Sequence, residues 1–302
     1  DDVNKVIWSQ MAWNTDKNVR EVVIEYCRFF FGVEEAADGI LALEKNWEGS
    51  LIENGSVEAT LTYWKQLESD HPELQDNWRW QLLVIRAYYD AYIRHKLIYE
   101  KSLEKEAYQK LNQAQFIGVE NALDAALSVL KKAESESVGH HLKKKLGILA
   151  DLLYDLIGLQ SSVPKYQASG YERGSFMDFM DLPLNNRWWL EDEFEKISKM
   201  NYEVGKLERI ESIVNWENPG KGGFYDNISD ISASPHVISV TDDAIDYAWW
   251  DNGRSRKRLS TQLFQFSPIL KYEKLDAEAN YLIRVSGYGE ALLRANDTLL
   301  VP

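Results

Sequence analysis

DNWRWQLLVIRAYYDAYIRHKLIYEKSLEKEAYQKLNQA, residues 76 to 114, is the stretch on which the fold turns. Leu82, Ile85, Tyr89, Tyr92, Tyr99, Leu103 and Leu111 recur at helical spacing, and no Gly or Pro interrupts them. The pattern predicts one very long helix, or two nearly continuous ones. Only a bundle-like α-helical domain gives so long a rod neighbours to pack against.

Upstream, Val19, Val22, Val23, Tyr26 and Phe30 mark a helix stopped by Gly32, and Ala37, Ile40, Leu41 and Leu43 a second that ends near Gly49. Ser56 is placed to cap a third, which carries Val57, Leu61 and Trp64. Downstream, Val119 to Leu130 and Leu142 to Leu156 give two more apolar stripes. Residues 159 to 185 lose the period and read as a long loop. Helix resumes at Asn186, the expected N-cap, with Leu190, Phe194, Ile197, Val204, Leu207 and Ile210 on its inner face.

Beyond Trp216 the character changes. Pro219, Gly220, Gly222 and Gly223 mark a boundary, and HVISV, QLFQF, ILKYE and YLIRVSG alternate as strands do. LDAEANY, ahead of the last of these, matches the tyrosine corner of β-sandwiches. The expectation is an α+β multidomain chain: an all-α domain over 1–216 and a small, possibly truncated β-sandwich over 221–302. The opening Asp1-Asp2, without methionine, suggests a piece of something longer.

With a formal charge of -14 the chain is too acidic for the concentrated basic surface that nucleic acid requires. Neither GxGxxG nor GxxxxGK[ST] occurs, which removes the usual phosphate cradles, and no GxSxG elbow or HExxH is present. The single cysteine, Cys27, sits in an apolar run and reads as a buried small hydrophobe. His140 and His141 point to different sides of a helix and read as surface residues. Asp226, Asp230, Asp242, Asp243 and Asp246 offer oxygens of the kind calcium takes, but at irregular spacing, so no metal or other cofactor is expected. No run is long and apolar enough for a membrane span.

LPLNNRWWL, residues 182 to 190, is the strongest candidate for ligand contact. Asn185, Asn186 and Arg187 beside Trp188 and Trp189 are the groups that hold sugar hydroxyls and a ring face, and Glu191 follows as a candidate carboxylate. The alternative is a helix start with its acids offsetting the dipole. Adjacent helical residues diverge by about 100°, so at most one of the two indoles should be deeply buried. Arg86 and Tyr89 form a second cluster, in which Arg86 and Asp90 are also an i, i+4 pair able to bridge one another.

VIWSQMAWNTDKNVREVVIEYCRFFFG resembles the segment that closes the catalytic barrel and opens the helical domain in large bacterial glycoside-hydrolase-like proteins, family 20-like chains and α-glucuronidases among them. ALEKNWEG, LPLNNRWWLEDEF and GGFYDN resemble stretches of the same multidomain, polysaccharide-associated proteins. The resemblance implies a C-terminal helical and β-sandwich region attached to an N-terminal catalytic domain, a barrel that supplies the catalytic acids, so no catalytic residue carries over to this chain. It further implies a non-catalytic accessory role, an oligo- or polysaccharide ligand and a secreted or periplasmic setting. An independent lyase or hydrolase on a helical toroid and a purely structural module are the alternatives.

Overall fold

The computed structural model describes residues 2–48, 50–170, 174–228, 234–239, 244–246, 258, 260–262, 267–286, 290 and 292–300. Among these, every helix lies before residue 215 and every strand after residue 236.

Helix α5, Trp78–Leu111, is a single rod of 34 residues. At about 1.5 Å per residue it is roughly 50 Å long. Asn77 starts it, its side-chain oxygen accepting from the backbone N–H groups of Arg79 and Trp80.

Two apolar cores form along this rod. In the first, α2 (Val19–Phe30), α3 (Ala36–Lys45), α4 (Ser56–Asp70) and α8 (His140–Ile157) surround the N-terminal half of α5, with Trp64 and Trp80 packed edge to face at 5.4 Å. Cys27 lies fully buried here, its thiol pushed up to about 12 by burial. In the second, α7 (Val119–Ser135), α11 (Arg187–Ser198) and α12 (Glu203–Val214) close on Leu103, Ala107 and Leu111. Each fully buried large apolar side chain contributes about 1.5–3 kcal/mol.

Gly32 ends α2 in a left-handed conformation, φ 72°, donating its N–H to Cys27 O and Arg28 O as expected of a helix-stopping glycine. Other expectations need correction. Ser56 is the first helical residue of α4, not its cap: Asn54 Oδ1 accepts from the Ser56 N–H instead. The stripe through Ile197 and Val204 is two helices. α11 stops at Ser198 and α12 starts at Glu203, leaving Val204 68% exposed. Helix α1, Asp2–Trp13, was not foreseen. It buries no residue fully and leans mainly on α2, with Asp2 paired to Arg79 at 2.7 Å. Three short helices, α6 (Ala114–Ile117), α9 (Val163–Tyr166) and α10 (Phe176–Phe179), sit in the connections.

In the C-terminal part the strands pair as short antiparallel ladders. β1 (Val237–Ser239) joins β4 (Ile269–Leu270), β2 (Ala244–Asp246) joins β3 (Ser260–Gln262), and β5 (Arg294–Ala295) joins β6 (Thr298–Leu299). Two facing sheets, which a sandwich requires, are not present among the described residues. HVISV and ILKYE supply β1 and β4. Residues 281–286 of YLIRVSG form no strand and leave Leu282 95% exposed. Residues 263–266 of QLFQF lie outside the described residues. The tyrosine corner is partly realised: the Asp276 N–H donates to Tyr281 Oη at 2.8 Å. Among the described residues no helix is long and apolar enough to cross a membrane.

Candidate functional site

Between the two cores α5 carries a polar ladder. Lys96, Glu100, Glu104 and Tyr108 follow one another at four-residue steps on a face that is buried. A charged row in such a place must be satisfied by its surroundings. LPLNNRWWL satisfies it. Lys96 Nζ donates to Glu100 and to the Leu182 carbonyl, and the Leu184 N–H donates to Glu100 Oε2 at 2.6 Å. Asn185 Nδ2 donates to the Glu100 carbonyl at 2.7 Å, and Asn186 Nδ2 to Glu104 Oε1 at 2.8 Å. Tyr108 Oη donates to the same oxygen at 3.1 Å. Burial holds the Lys96 ammonium below its usual range, opposed by Glu100, and raises the Tyr108 phenol.

The expected ligand groups therefore point inward. Asn185, Asn186 and Arg187 are all buried, and Asn186 does not cap α11 with its side chain; Asn185 Oδ1 accepts the Arg187 N–H instead. Arg187 Nε donates to Glu191 Oε1 at 2.9 Å, and its Nη2 to Glu134 Oε1 at 3.0 Å. Glu191 is thus locked in an i, i+4 pair whose two side chains are 8% and 6% exposed. Trp189 is buried and Trp188 half-buried, in keeping with the divergence of adjacent helical residues.

The second cluster does not join the first. Arg86 donates to Glu44 Oε1 at 2.7 Å and to the Leu43 carbonyl at 3.2 Å, with Asp90 only at 4.0 Å. Asp90 takes Asn46 Nδ2 and Trp47 Nε1, both at 2.9 Å, and burial raises its pKa. This carboxylate ties the ALEKNWEG stretch to α5. Tyr89 meets Phe176 edge to face at 5.5 Å.

Two further arrangements escaped the sequence reading. Trp189 and Trp216 meet edge to face at 5.4 Å, and the Arg258 guanidinium lies 5.3 and 5.2 Å from their ring centres. Arg258 also donates to Glu217 and to Tyr225 Oη, fastening the segment beyond α12 to the second core.

The other lies in the β part. Asp226 Oδ1 is 3.0 Å and Oδ2 3.1 Å from His236 Nδ1, and Tyr272 Oη donates to Oδ2 at 2.7 Å. The His236 and Tyr272 rings stack at 4.6 Å, with Phe224 edge-on to His236 at 4.9 Å. The available signal was GGFYDN followed ten residues later by one of only five histidines, at the start of a strand-like run. Asp226, counted above as a calcium candidate, is occupied by these two partners; Asp230, Asp242 and Asp243 lie outside the described residues. No group of three or more metal-ligating side chains occurs among the described residues.

Compared with known protein families, curated proteins and solved structures, the chain matches none.

Proposed function

We propose that this chain is a non-catalytic accessory region of a secreted or periplasmic polysaccharide-degrading enzyme, a helical scaffold that buttresses a catalytic barrel and contributes to carbohydrate contact. One observation carries the reading. The amides, the guanidinium and the carboxylate that would have made LPLNNRWWL a catalytic or sugar-binding cleft are spent on holding the helices together. A general acid or base must reach its substrate, and Glu191 in its closed pair with Arg187 does not.

Exposed aromatic rings on the first hairpin suit the buttress. Trp8, Trp13 and Phe29 are each more than four-fifths exposed, and aromatic residues of this kind are enriched at protein contacts. A small sandwich-like β domain over 221–302 belongs to the same reading, supported by the Tyr281 corner.

The test combines a reducing-end assay of the isolated chain on a panel of polysaccharides with thermal melts of Asn185→Ala and Glu191→Gln. No release of reducing ends and a lowered Tm in both variants are expected. Turnover that disappears in Glu191→Gln while the fold survives would sink the proposal in favour of an independent enzyme.

A further inference from the structure

We infer that Phe224, His236 and Tyr272, seated on Asp226, form a binding site for a neutral sugar ring. The inference rests on the accessory-region reading and gives its carbohydrate contact a location and a ligand class.

The Asp226 side chain is 2% exposed, and a carboxylate so buried needs its lone pairs filled. His236 Nδ1 and Tyr272 Oη fill them, with the His236 N–H at 3.4 Å. Burial, reinforced by the bond to Asp226, pushes the Tyr272 phenol up to about 12, so it stays a donor at neutral pH. Asp226 takes the Nδ1 edge of the imidazole, which turns Nε2 outward. The His236 side chain is 25% exposed, and Nε2 has no hydrogen-bond partner among the described residues.

Around this nitrogen stand aromatic surfaces. Phe224 is 44% and Tyr272 39% exposed, their ring centres 5.3 Å apart. The arrangement does more than anchor a loop, because the main chain at His236 is held independently. Its carbonyl accepts from the Lys271 N–H at 2.8 Å, and the β1–β4 ladder begins at the next residue. The carboxylate fixes the orientation of the ring.

The chemistry selects the ligand. An anion would approach a chain whose net charge is already -14. A metal ion would need further ligands, and no group of three is found among the described residues. A pyranose fits both features: its C–H face packs on an aromatic ring, and a hydroxyl, donor and acceptor at once, bonds to Nε2. At a net charge of -14 the chain also disfavours nucleotides, whose bases stack equally well but bring phosphates.

The experiment titrates the whole chain with cellohexaose, xylohexaose, mannohexaose and chitohexaose, with an oligogalacturonate as the charged control, by calorimetry and by the NMR shift of the His236 ring proton. His236→Asn keeps an N–H for Asp226 while deleting Nε2, and Phe224→Ala deletes one ring. At least one neutral oligosaccharide should bind and shift the ring proton. Its affinity should fall about tenfold or more in each variant, on the order of one lost hydrogen bond or stacking contact. Binding that leaves the ring proton unmoved and both variants unaffected would overturn the site while leaving an accessory sugar-binding role standing. Silence with every neutral sugar would overturn the site and the sugar contact together, leaving the buttress role to the reducing-end assay. Preference for the charged oligomer would overturn the ligand class. Should His236→Asn fail to fold, Phe224→Ala and the wild-type ring-proton shift still decide.

Discussion

Glu100→Ala should destabilise the helical region sharply. Its carboxylate accepts from Lys96 Nζ and from the Leu184 N–H, and the two side chains of the ion pair are 9% and 5% exposed. Removing it leaves a buried ammonium with the Leu182 carbonyl as its remaining acceptor among the described residues, and takes the acceptor away from a backbone donor. Breaking a buried pair from one side costs about 3–5 kcal/mol. For a helical unit of this size each kcal/mol moves Tm by about 2–4 °C, so a drop of roughly 6–20 °C is expected. The loss should depend on pH in a defined direction. Lys96 is a base whose folded pKa is lowered, so its contribution to stability is present above the unfolded value of about 10.4 and fades as pH falls through the folded one. Without Glu100 that folded value sinks further, so the deficit relative to wild type should be larger at pH 6 than at pH 9. Circular-dichroism melts at both pH values measure this, with hydrogen exchange at the Leu184 amide as the local readout. The double variant Lys96→Met/Glu100→Leu should be less damaged than the sum of the two single exchanges, by about 1–3 kcal/mol. A deficit under about 1 kcal/mol for Glu100→Ala, or strict additivity in the double variant, would show that the ladder does not hold the 182–186 loop.

Other outcomes follow from the same packing. Arg258→Ala should cost about 1–2 kcal/mol and alter tryptophan fluorescence, because the guanidinium lies over both Trp189 and Trp216; Arg258→Lys should recover little of it, and full recovery would mean that charge alone matters. Raising pH should unfold the chain cooperatively. Tyr26 is pushed up to about 12, and Tyr88, Tyr92 and Tyr108 are raised as well, so their contribution is complete below the unfolded tyrosine value of about 10 and is lost as pH climbs toward the folded ones. Melts between pH 8 and 11 together with tyrosinate absorbance test this, and a flat Tm across that range would contradict it. Gly39→Ala would bring a methyl to 3.0 Å from the fully buried Trp64 indole. The overpacking, about 1–3 kcal/mol, should outweigh a helix-propensity gain of about 1 kcal/mol, so a raised Tm would show that Trp64 has room to move.

The long helix was legible because its signal is local: an apolar period without a breaker. Helix α1 was not, because VIWSQMAW buries no residue fully and so carries a weak amphipathic signature. The split between α11 and α12 was hidden for the opposite reason, since neither Gly nor Pro stands between Lys199 and Tyr202. LPLNNRWWL stands out in the sequence for its amides and indoles, yet its role depends on partners 82 to 86 positions upstream, a separation at which no periodicity speaks. The one usable clue was the four-residue recurrence of Lys96, Glu100, Glu104 and Tyr108 among inward-facing positions of α5. In the β part, alternation over four or five residues did not separate strand from extended chain, as residues 281–286 show.

The order in which the chain visits its two cores limits how it can be divided. It builds the first with residues 23–93, contributes 103–130 to the second, returns to the first with 142–180 and finishes the second with 189–213. No single cut yields two self-sufficient halves: a break after residue 93 strips the first core of α8, and one after residue 180 leaves the second without α11 and α12. Excised pieces of the helical region should therefore be soluble only when co-expressed, and two such pieces should find each other as a split protein does.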